Sequence, residues 1–339
     1  MAETSSIEWT DATWNPITGC TLVSEGCRHC YAATLAATRL RNHPSRAGLA
    51  RLNAAGEAKF TGEVRFNEQW LEDPIRWRRP RRIFVCAHGD LFHEAVPDAW
   101  IDRVFYAMAS AKHHIFQILT KRPERAGQYL LENFGPTRRG LMPKPRPLAN
   151  VWIGTSVEDQ AAADDRIPHL LAAPAAVRFL SAEPLLRAMD LSAYLWGRSK
   201  PCVECPKDAY CGCGFLPRGA VPNEPAIDWV IVGGESGPGA RPMHPDWARS
   251  LRDQCAAAGV PFFHKQNGAW AVVFDRDHDD PDWRRCDVVA RDTPAGRWLN
   301  LAGGHGFHGD RVLRVVPVSK KAAGRLLDGR EHNGMPGDA

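Results

Sequence analysis

The chain lacks the features that direct a protein into a membrane or into an oxidising compartment. No run of about eighteen apolar residues occurs, and residues 1–8 contain neither a basic start nor an apolar stretch. The excess of positive over negative charge is also small, because 43 Lys and Arg residues against 39 Asp and Glu residues leave a net charge of +4. That excess permits an anionic partner but is below the level of a dedicated nucleic-acid binder. We therefore expect a cytoplasmic protein without a membrane partner.

The composition excludes a disordered chain. With 44% hydrophobic and 24% charged residues, the sequence is typical of a globular protein. Its 339 residues suit either two domains or one α/β barrel of roughly 250 residues with insertions. We expect a barrel over residues 1–270 with an insertion at 201–225, and a C-terminal extension over 271–339. In the extension we predict a hairpin near 311–318 and a basic helix at 319–327 before a frayed end.

Alternating apolar runs and helical periodicity begin near residue 80 and predict strand–helix units with a parallel sheet. The predicted strands are residues 82–86, 114–119, 151–154, 177–180, 229–232 and 260–263. The predicted helices are residues 31–41, 98–111, 123–133, 158–171 and 245–258. Together with a first strand in the segment that ends at Cys20, about seven units predict a partial or full parallel (β/α) barrel.

Polar residues follow each predicted strand. Because the carboxyl ends of parallel strands carry the site in such folds, these residues indicate one shared pocket, although loops are polar in any case. The residues that we select there are Asp90, Lys121, Arg122, Ser156, Glu158, Glu183, Gly233, Gly234 and Glu235.

The sequence has ten cysteines, of which seven fall into two tight groups. In a reducing compartment this grouping favours metal binding over disulfides. The isolated Cys86, Cys255 and Cys286 are interpreted as packed thiols.

In the first group, Cys20, Cys27 and Cys30 are separated by six and two residues, with no fourth cysteine nearby. Three thiolates can hold three corners of an iron–sulfur cubane and leave one iron open. The alternatives are zinc with a distant fourth ligand and, with less support, a redox pair at Cys27 and Cys30.

This motif, at the start of a series of strand–helix units, resembles the radical S-adenosylmethionine superfamily, whose usual first gap is three residues rather than six. The longer gap resembles a phage- and bacterium-associated family that is distantly similar to spore photoproduct lyase. The matching segments are residues 9–16 (WTDATWNP), 90–94 (DLFHE), 119–123 (LTKRP), 181–185 (SAEPL), 233–237 (GGESG) and 320–329 (KKAAGRLLDG).

The resemblance implies a [4Fe–4S] cluster on the three cysteines, S-adenosyl-L-methionine as cosubstrate and a cellular electron donor. In such a site Asp90 would accept from the amino group, Lys121, Arg122 and Ser156 would contact the carboxylate, and Glu158 would hold the ribose. Gly233, Gly234 and Glu235 would let the backbone approach the adenine. Asp90 and Glu183 have the alternative of capping helices or pairing with arginines, and the glycine pair that of a tight turn. No catalytic residue is singled out.

The second group is Cys202, Cys205, Cys211 and Cys213, within a segment rich in Pro and Gly. Four thiolates suffice for a closed zinc site or for a second cluster, either of which would order a segment with little core of its own. Four reduced cysteines without metal are the remaining alternative.

Basic residues cluster in three places and favour a nucleic-acid substrate over a small metabolite. The clusters are Arg76, Arg78, Arg79, Arg81 and Arg82 among Trp70, Trp77 and Pro80; Arg138, Arg139, Lys144 and Arg146; and Lys320, Lys321, Arg325 and Arg330. We therefore expect a radical enzyme that modifies or repairs nucleic acid. The alternatives are a radical enzyme that acts on a peptide or partner protein, and a zinc-stabilised nucleic-acid-binding protein without catalysis.

Overall fold

The computed structural model describes residues 4–135, 147–195, 226–277, 281, 285–302 and 311–337. Its strands are β1 (Ala12–Trp14), β2 (Ile17–Thr18), β3 (Ala50–Leu52), β4 (Ala58–Phe60), β5 (Arg65–Phe66), β6 (Arg82–Val85), β7 (Ile115–Thr120), β8 (Val151–Ser156), β9 (Val177–Ala182), β10 (Trp229–Gly233), β11 (Phe262–Gln266), β12 (Trp270–Asp277), β13 (Arg297–Leu299) and β14 (Arg311–Pro317). Its α-helices are α1 (Tyr31–Ala37), α2 (Asp73–Arg76), α3 (Asp98–Ser110), α4 (Pro123–Phe134), α5 (Gln160–Ala172), α6 (Ser192–Leu195), α7 (Pro245–Ala258), α8 (Cys286–Asp292) and α9 (Lys320–Ala323). Within these ranges no helix has both the length and the apolar character that crossing a bilayer requires.

The main sheet is parallel and, in the part of the chain described, has seven strands in the order β1-β6-β7-β8-β9-β10-β11. Each strand lies beside the next strand of the sheet along the chain, so that every crossover steps in the same direction. The sheet curls into an open half-barrel flanked by helices, which confirms the prediction of a partial parallel barrel. All carboxyl ends of these strands meet at one edge.

The two faces of the sheet bury different side chains, because successive residues of a strand point to opposite faces. The face toward the helices is mainly aliphatic, with Val85, Ile118, Ile153 and Val232. The inner face is aromatic and consists of Trp9, Phe84, Trp152, Phe179, Trp229 and Phe263. A Cβ at Gly154 would lie 2.6 Å from the Phe179 ring, which explains a glycine within β8.

The two ends of the described chain fill the inside of the half-barrel. Trp9 packs beneath Phe84, with ring centroids 4.8 Å apart. From the other end, the segment that contains Asn333 and Met335 runs antiparallel to β11, and the Trp229 indole donates a hydrogen bond of 2.8 Å to the carbonyl of residue 334. The predicted frayed end is therefore wrong, because a strand edge and an aromatic cavity provide partners for it.

The C-terminal extension differs from its prediction in two more ways. Its strands form an antiparallel sheet in the order β12-β14-β13, so that residues 311–317 form the single central strand β14 and not a hairpin within that segment. The predicted basic helix is reduced to the single turn α9, capped by the Ser319 hydroxyl and ended by Gly324, whose φ is +70°. The four cysteines at 202–213 and the basic residues at 138–146 lie outside the described residues.

Candidate functional site

A cavity of about 570 Å³ lies at the carboxyl edge of the half-barrel. The ends of successive strands contribute to its wall, as the polar clusters after the strands predict, and Trp9 and Phe84 contribute from the inner face. The sequence-selected residues in the lining are Cys20, Cys27, Cys30, Asp90, Lys121, Arg122, Ser156, Glu183, Gly234 and Glu235. The structure therefore brings most of the selected residues to one place.

The three cysteines open on this cavity as free thiols. Cys20 follows Gly19, whose φ of +97° and close approach to Glu63, with 2.1 Å between a built Cβ and the carbonyl oxygen, exclude other residues. Cys27 ends a short 3-10 helix, and Cys30 is the N-cap of α1. One tight loop thus carries all three sulfur atoms to the mouth of the half-barrel.

The chemistry of these thiols fits a metal group. Burial, with a contribution from Asp90, raises the pKa of Cys20 to about 12, against the opposing effect of Arg122. Burial also raises the pKa of Cys30. Because such thiols ionise only when positive charge compensates the thiolate, a bound metal would stabilise the form that ligates it.

The zinc alternative gains no support from the geometry. Over the described ranges, no three His, Cys, Asp or Glu side chains form a group that could hold a metal ion. A closed zinc site needs four ligands around a single ion. In a cubane cluster each thiolate binds a different iron atom, so the three sulfur atoms lie farther apart than the ligands of a single ion. The absence of a single-ion site among the described residues therefore does not test the cluster.

Arg122 connects the cysteine loop to the ends of β6 and β7. Its guanidinium pairs with Asp90 at 3.1 Å and with Glu94 at 2.7 Å, and it donates to the Cys20 sulfur at 3.6 Å. Asp90 is also fully engaged, because Oδ1 accepts from Thr120 and from the amide of residue 92, and Oδ2 accepts from Arg122 and from the amide of residue 121. Asp90 therefore positions the loop, which was one alternative drawn from the sequence.

Glu235 fixes the other side of the cysteine loop. The His29 Nδ1–H donates to its Oε2 at 3.0 Å, and Arg241 donates to both carboxylate oxygens. Arg241 also donates to the backbone carbonyl of Glu25 at 3.0 Å. His29 lies between two of the cysteines, and Glu25 precedes Cys27 by two residues. The end of β10 is thus joined to the part of the loop that carries Cys27 and Cys30.

We expect Glu235→Gln to destabilise the protein at neutral pH and much less in acid. Burial alone would raise the pKa of Glu235, but the donors from Arg241 and His29 prevail and hold it below its usual range. The stabilisation is complete above the unfolded pKa, about 4.3, and disappears as pH falls through the lower folded pKa. Urea unfolding should give a loss of about 1–3 kcal/mol at pH 7 that shrinks toward pH 3.

The matched control for this prediction is Glu68→Gln, which removes an exposed carboxylate that pairs with Arg103. An exposed pair contributes little, so this variant should remain within about 0.5 kcal/mol of wild type at both pH values. A loss in Glu235→Gln that does not change with pH would contradict the assignment of the stabilisation to the ionised carboxylate.

The remaining selected residues have different surroundings. Within the described chain the ammonium group of Lys121 makes no hydrogen bond or ion pair, and it faces the cavity. Glu183 accepts from Lys265 at 2.7 Å and from Gln266 at 3.1 Å through Oε1, and none of these bonds involves Oε2. Glu158 is buried against Arg166 at 3.0 Å and is not part of the cavity lining.

Both glycines at the end of β10, Gly233 within it and Gly234 directly after it, are explained by packing. A Cβ at Gly233 would lie 3.2 Å from Glu183, and one at Gly234 would lie 2.6 Å from the carbonyl oxygen of Asn267. Close packing therefore excludes larger side chains at these positions, and of the two glycines Gly234 lines the cavity whereas Gly233 does not.

Several lining residues were not selected from the sequence. His88 and Lys265 belong to polar clusters directly after predicted strands, and that position is the sequence signal that could have identified them. Ser5 and Glu8 had no signal, because their place in the lining depends on how the first residues cross the inner face.

The arginine cluster around Arg78 lies at the opposite end of the sheet. It precedes β6, whereas the cavity lies beyond the carboxyl end of that strand. Arg82 pairs with Asp11, Arg76 pairs with Glu72, and Arg78 is exposed. Of the three basic clusters, the described residue that lines the cavity is Lys320, which also pairs with Glu8 at 3.0 Å.

Fold and site together define an α/β half-barrel protein with a three-cysteine cavity at the carboxyl edge of its parallel sheet. The chain belongs to the family described as "Protein of unknown function (DUF5131)", which it matches over residues 4–336. Comparisons with curated proteins and with solved structures find no match.

Proposed function

We propose that this protein is a radical S-adenosylmethionine enzyme that modifies or repairs a nucleic-acid substrate. The observation that carries the proposal is the exposure of three free cysteines to one cavity at the carboxyl edge of a parallel half-barrel. A [4Fe–4S] cluster with one open iron would supply the reductive cleavage of S-adenosylmethionine to a carbon radical. The sequence resemblance, independent of this geometry, implies the same chemistry.

The residues of the chain would hold and orient these groups. Cys20, Cys27 and Cys30 would ligate the cluster, and the N–H groups of Arg122 would stabilise the Cys20 thiolate. Lys121 lines the cavity and its ammonium group makes no hydrogen bond or ion pair within the described residues, which suits the binding of a carboxylate. Glu183 takes the place of Asp90 as the candidate acceptor for an amino group, because its Oε2 has no hydrogen-bond donor among the described residues and Asp90 is fully engaged.

The test is anaerobic reconstitution with iron and sulfide, followed by dithionite and S-adenosylmethionine. A broad absorption band near roughly 400 nm is expected from thiolate-bound iron–sulfur and not from zinc. Chromatography should then detect 5′-deoxyadenosine. A reconstituted protein that has the band and forms no 5′-deoxyadenosine contradicts the proposed reaction, and a protein that binds only zinc contradicts the cluster.

We predict that nucleic-acid binding depends on the lysines at the cavity mouth and not on the arginines at the amino end of the sheet. Lys320 and Lys321 are exposed near the cavity, whereas Arg78 and Arg79 lie at the far end of β6. Replacing both lysines with alanine should weaken binding of a single-stranded oligonucleotide and reduce the slope of log K against log salt by roughly 1 to 2.

The matched control is the double variant Arg78→Ala/Arg79→Ala, measured in the same gel-shift salt series. It removes the same number of charges from a surface outside the site, so the slope should stay at its wild-type value. If the arginine variant lowered the slope and the lysine variant did not, the nucleic acid would bind at the amino end of the sheet. A wild-type affinity that does not respond to salt would favour a peptide or partner protein as the substrate.

A further inference from the structure

Two arginines behind the His88 side of the cavity have no acidic partner among the described residues. Arg46 is only 4% exposed, and Arg65 is half-buried. Across the described ranges neither guanidinium forms an ion pair, and their hydrogen bonds go to Ser45, to the His88 ring and to backbone carbonyls. A buried cation without a counter-charge is unfavourable, and burial lowers the pKa of Arg46 to about 10. This side of the cavity therefore has uncompensated positive charge.

His88 connects this charge to the cavity. The Arg46 Nε–H donates to His88 Nδ1 at 3.1 Å. Because a guanidinium can only donate, Nδ1 is the acceptor nitrogen, and the proton of the neutral ring is on Nε2. Burial and the Arg46 charge lower the pKa of His88 to about 4, so the ring stays neutral at neutral pH.

The ring is held in the cavity wall by its neighbours. The backbone N–H of His88 donates to Asn15 Oδ1 at 3.0 Å, and the Tyr31 ring lies edge-on to the imidazole at 6.0 Å. The Tyr31 hydroxyl donates to the carbonyl of Ala87 at 2.6 Å. His88, Tyr31 and Ala87 all line the cavity. The imidazole thus has a fixed tautomer and a fixed position at a ligand-accessible wall.

We propose that His88, backed by Arg46 and Arg65, forms a subsite for a phosphate group of the substrate, with the Nε2–H as the donor that contacts it; this inference rests on the proposed function in that the substrate is a nucleic acid. Arg46 is a positioning residue, because its contact with the ligand runs through the imidazole. The Arg46 guanidinium directs its donors at Ser45 and His88, so the group that the subsite offers to a ligand is the imidazole N–H. Arg46 and Arg65, which form no ion pair within the described residues, lie behind the His88 N–H donor. Their combined positive charge favours a phosphate over a carboxylate as the ligand.

The test uses the protein without cluster or S-adenosylmethionine, so its outcome is separate from that of the radical reaction. Isothermal titration calorimetry would measure binding of 5′-phosphorylated thymidine dinucleotide and of inorganic phosphate. His88→Phe keeps an aromatic ring without the donor and should weaken both at least about tenfold, the effect of one hydrogen bond to a charged group. His88→Gln keeps a donor and should remain within about threefold of wild type.

Arg46→Lys keeps the charge but cannot fix the tautomer through Nε, and should weaken binding less than Arg46→Met. Arg78→Met, a matched arginine at the far end of the sheet, should bind as wild type does. Equal binding by His88→Phe and wild type, equal losses in Arg78→Met and Arg46→Met, or equal affinity for acetate and phosphate would each overturn the proposal.

Discussion

Cys27→Ala is expected to abolish both the absorption band of the reconstituted cluster and the formation of 5′-deoxyadenosine. Cys27 is the middle cysteine of the motif, and it lines the same cavity as Cys20 and Cys30. A cluster with only two thiolate ligands loses a corner and is not retained through desalting. 5′-Deoxyadenosine should therefore fall to the level of protein that was never reconstituted, and iron content and absorption should fall by the contribution of the three-cysteine cluster.

The control is Cys286→Ala, which removes a partly exposed thiol on α8 that does not line the cavity. This variant should retain the iron content and the activity of wild type. If Cys27→Ala kept its iron and formed 5′-deoxyadenosine at the wild-type rate, the three-cysteine ligand set would be wrong. If Cys286→Ala lost its iron instead, the metal would be elsewhere in the chain.

The sheet could be predicted from sequence because its strands are short apolar runs between amphipathic helices. The predicted strands 177–180 and 229–232 lie within β9 and β10. The last strand was predicted too early, at 260–263, because β11 continues through the polar residues His264 and Gln266. His264 and Gln266 are both buried. Polar side chains can be buried at the end of this strand because they have hydrogen-bond partners or face the site. A prediction from hydrophobic periodicity detects buried apolar residues, and it therefore misses strand positions that hold buried polar side chains.

The site could be predicted only in part, since a position after a strand does not fix the partners of a side chain. Asp90 follows β6 and Glu158 follows β8, yet Glu158 pairs with Arg166 and does not line the cavity. Asp90 faces the cavity but is saturated by donors from β7 and the loop after it. The pairing of Arg46 with His88 joins residues 42 positions apart and has no local signal.

We expect Arg122→Met to be the most destabilising of the substitutions considered, because it leaves the Asp90 carboxylate buried and unpaired. The side chains of Arg122 and Asp90 are 7% and 6% exposed. Removing one partner of a buried ion pair typically costs ~3–5 kcal/mol, most of it from the charge left behind. The measurement is urea unfolding at pH 7, and Arg76→Met is the control, since it breaks an exposed pair with Glu72 and should cost about 0.5 kcal/mol or less.

The double variant Asp90→Asn/Arg122→Met tests the physical reason. When both charges of the Arg122–Asp90 pair are removed, no unpaired ion remains, and the double variant should recover part of the free energy of unfolding lost in Arg122→Met.

The ion pair also matters for the site, because Arg122 contacts Thr21 and the sulfur of Cys20. Arg122→Met should thus loosen the cysteine loop before global unfolding, as faster amide hydrogen exchange around Thr21. Unchanged exchange there, together with a cost no larger than that of Arg76→Met, would mean that the cysteine loop is held without this ion pair.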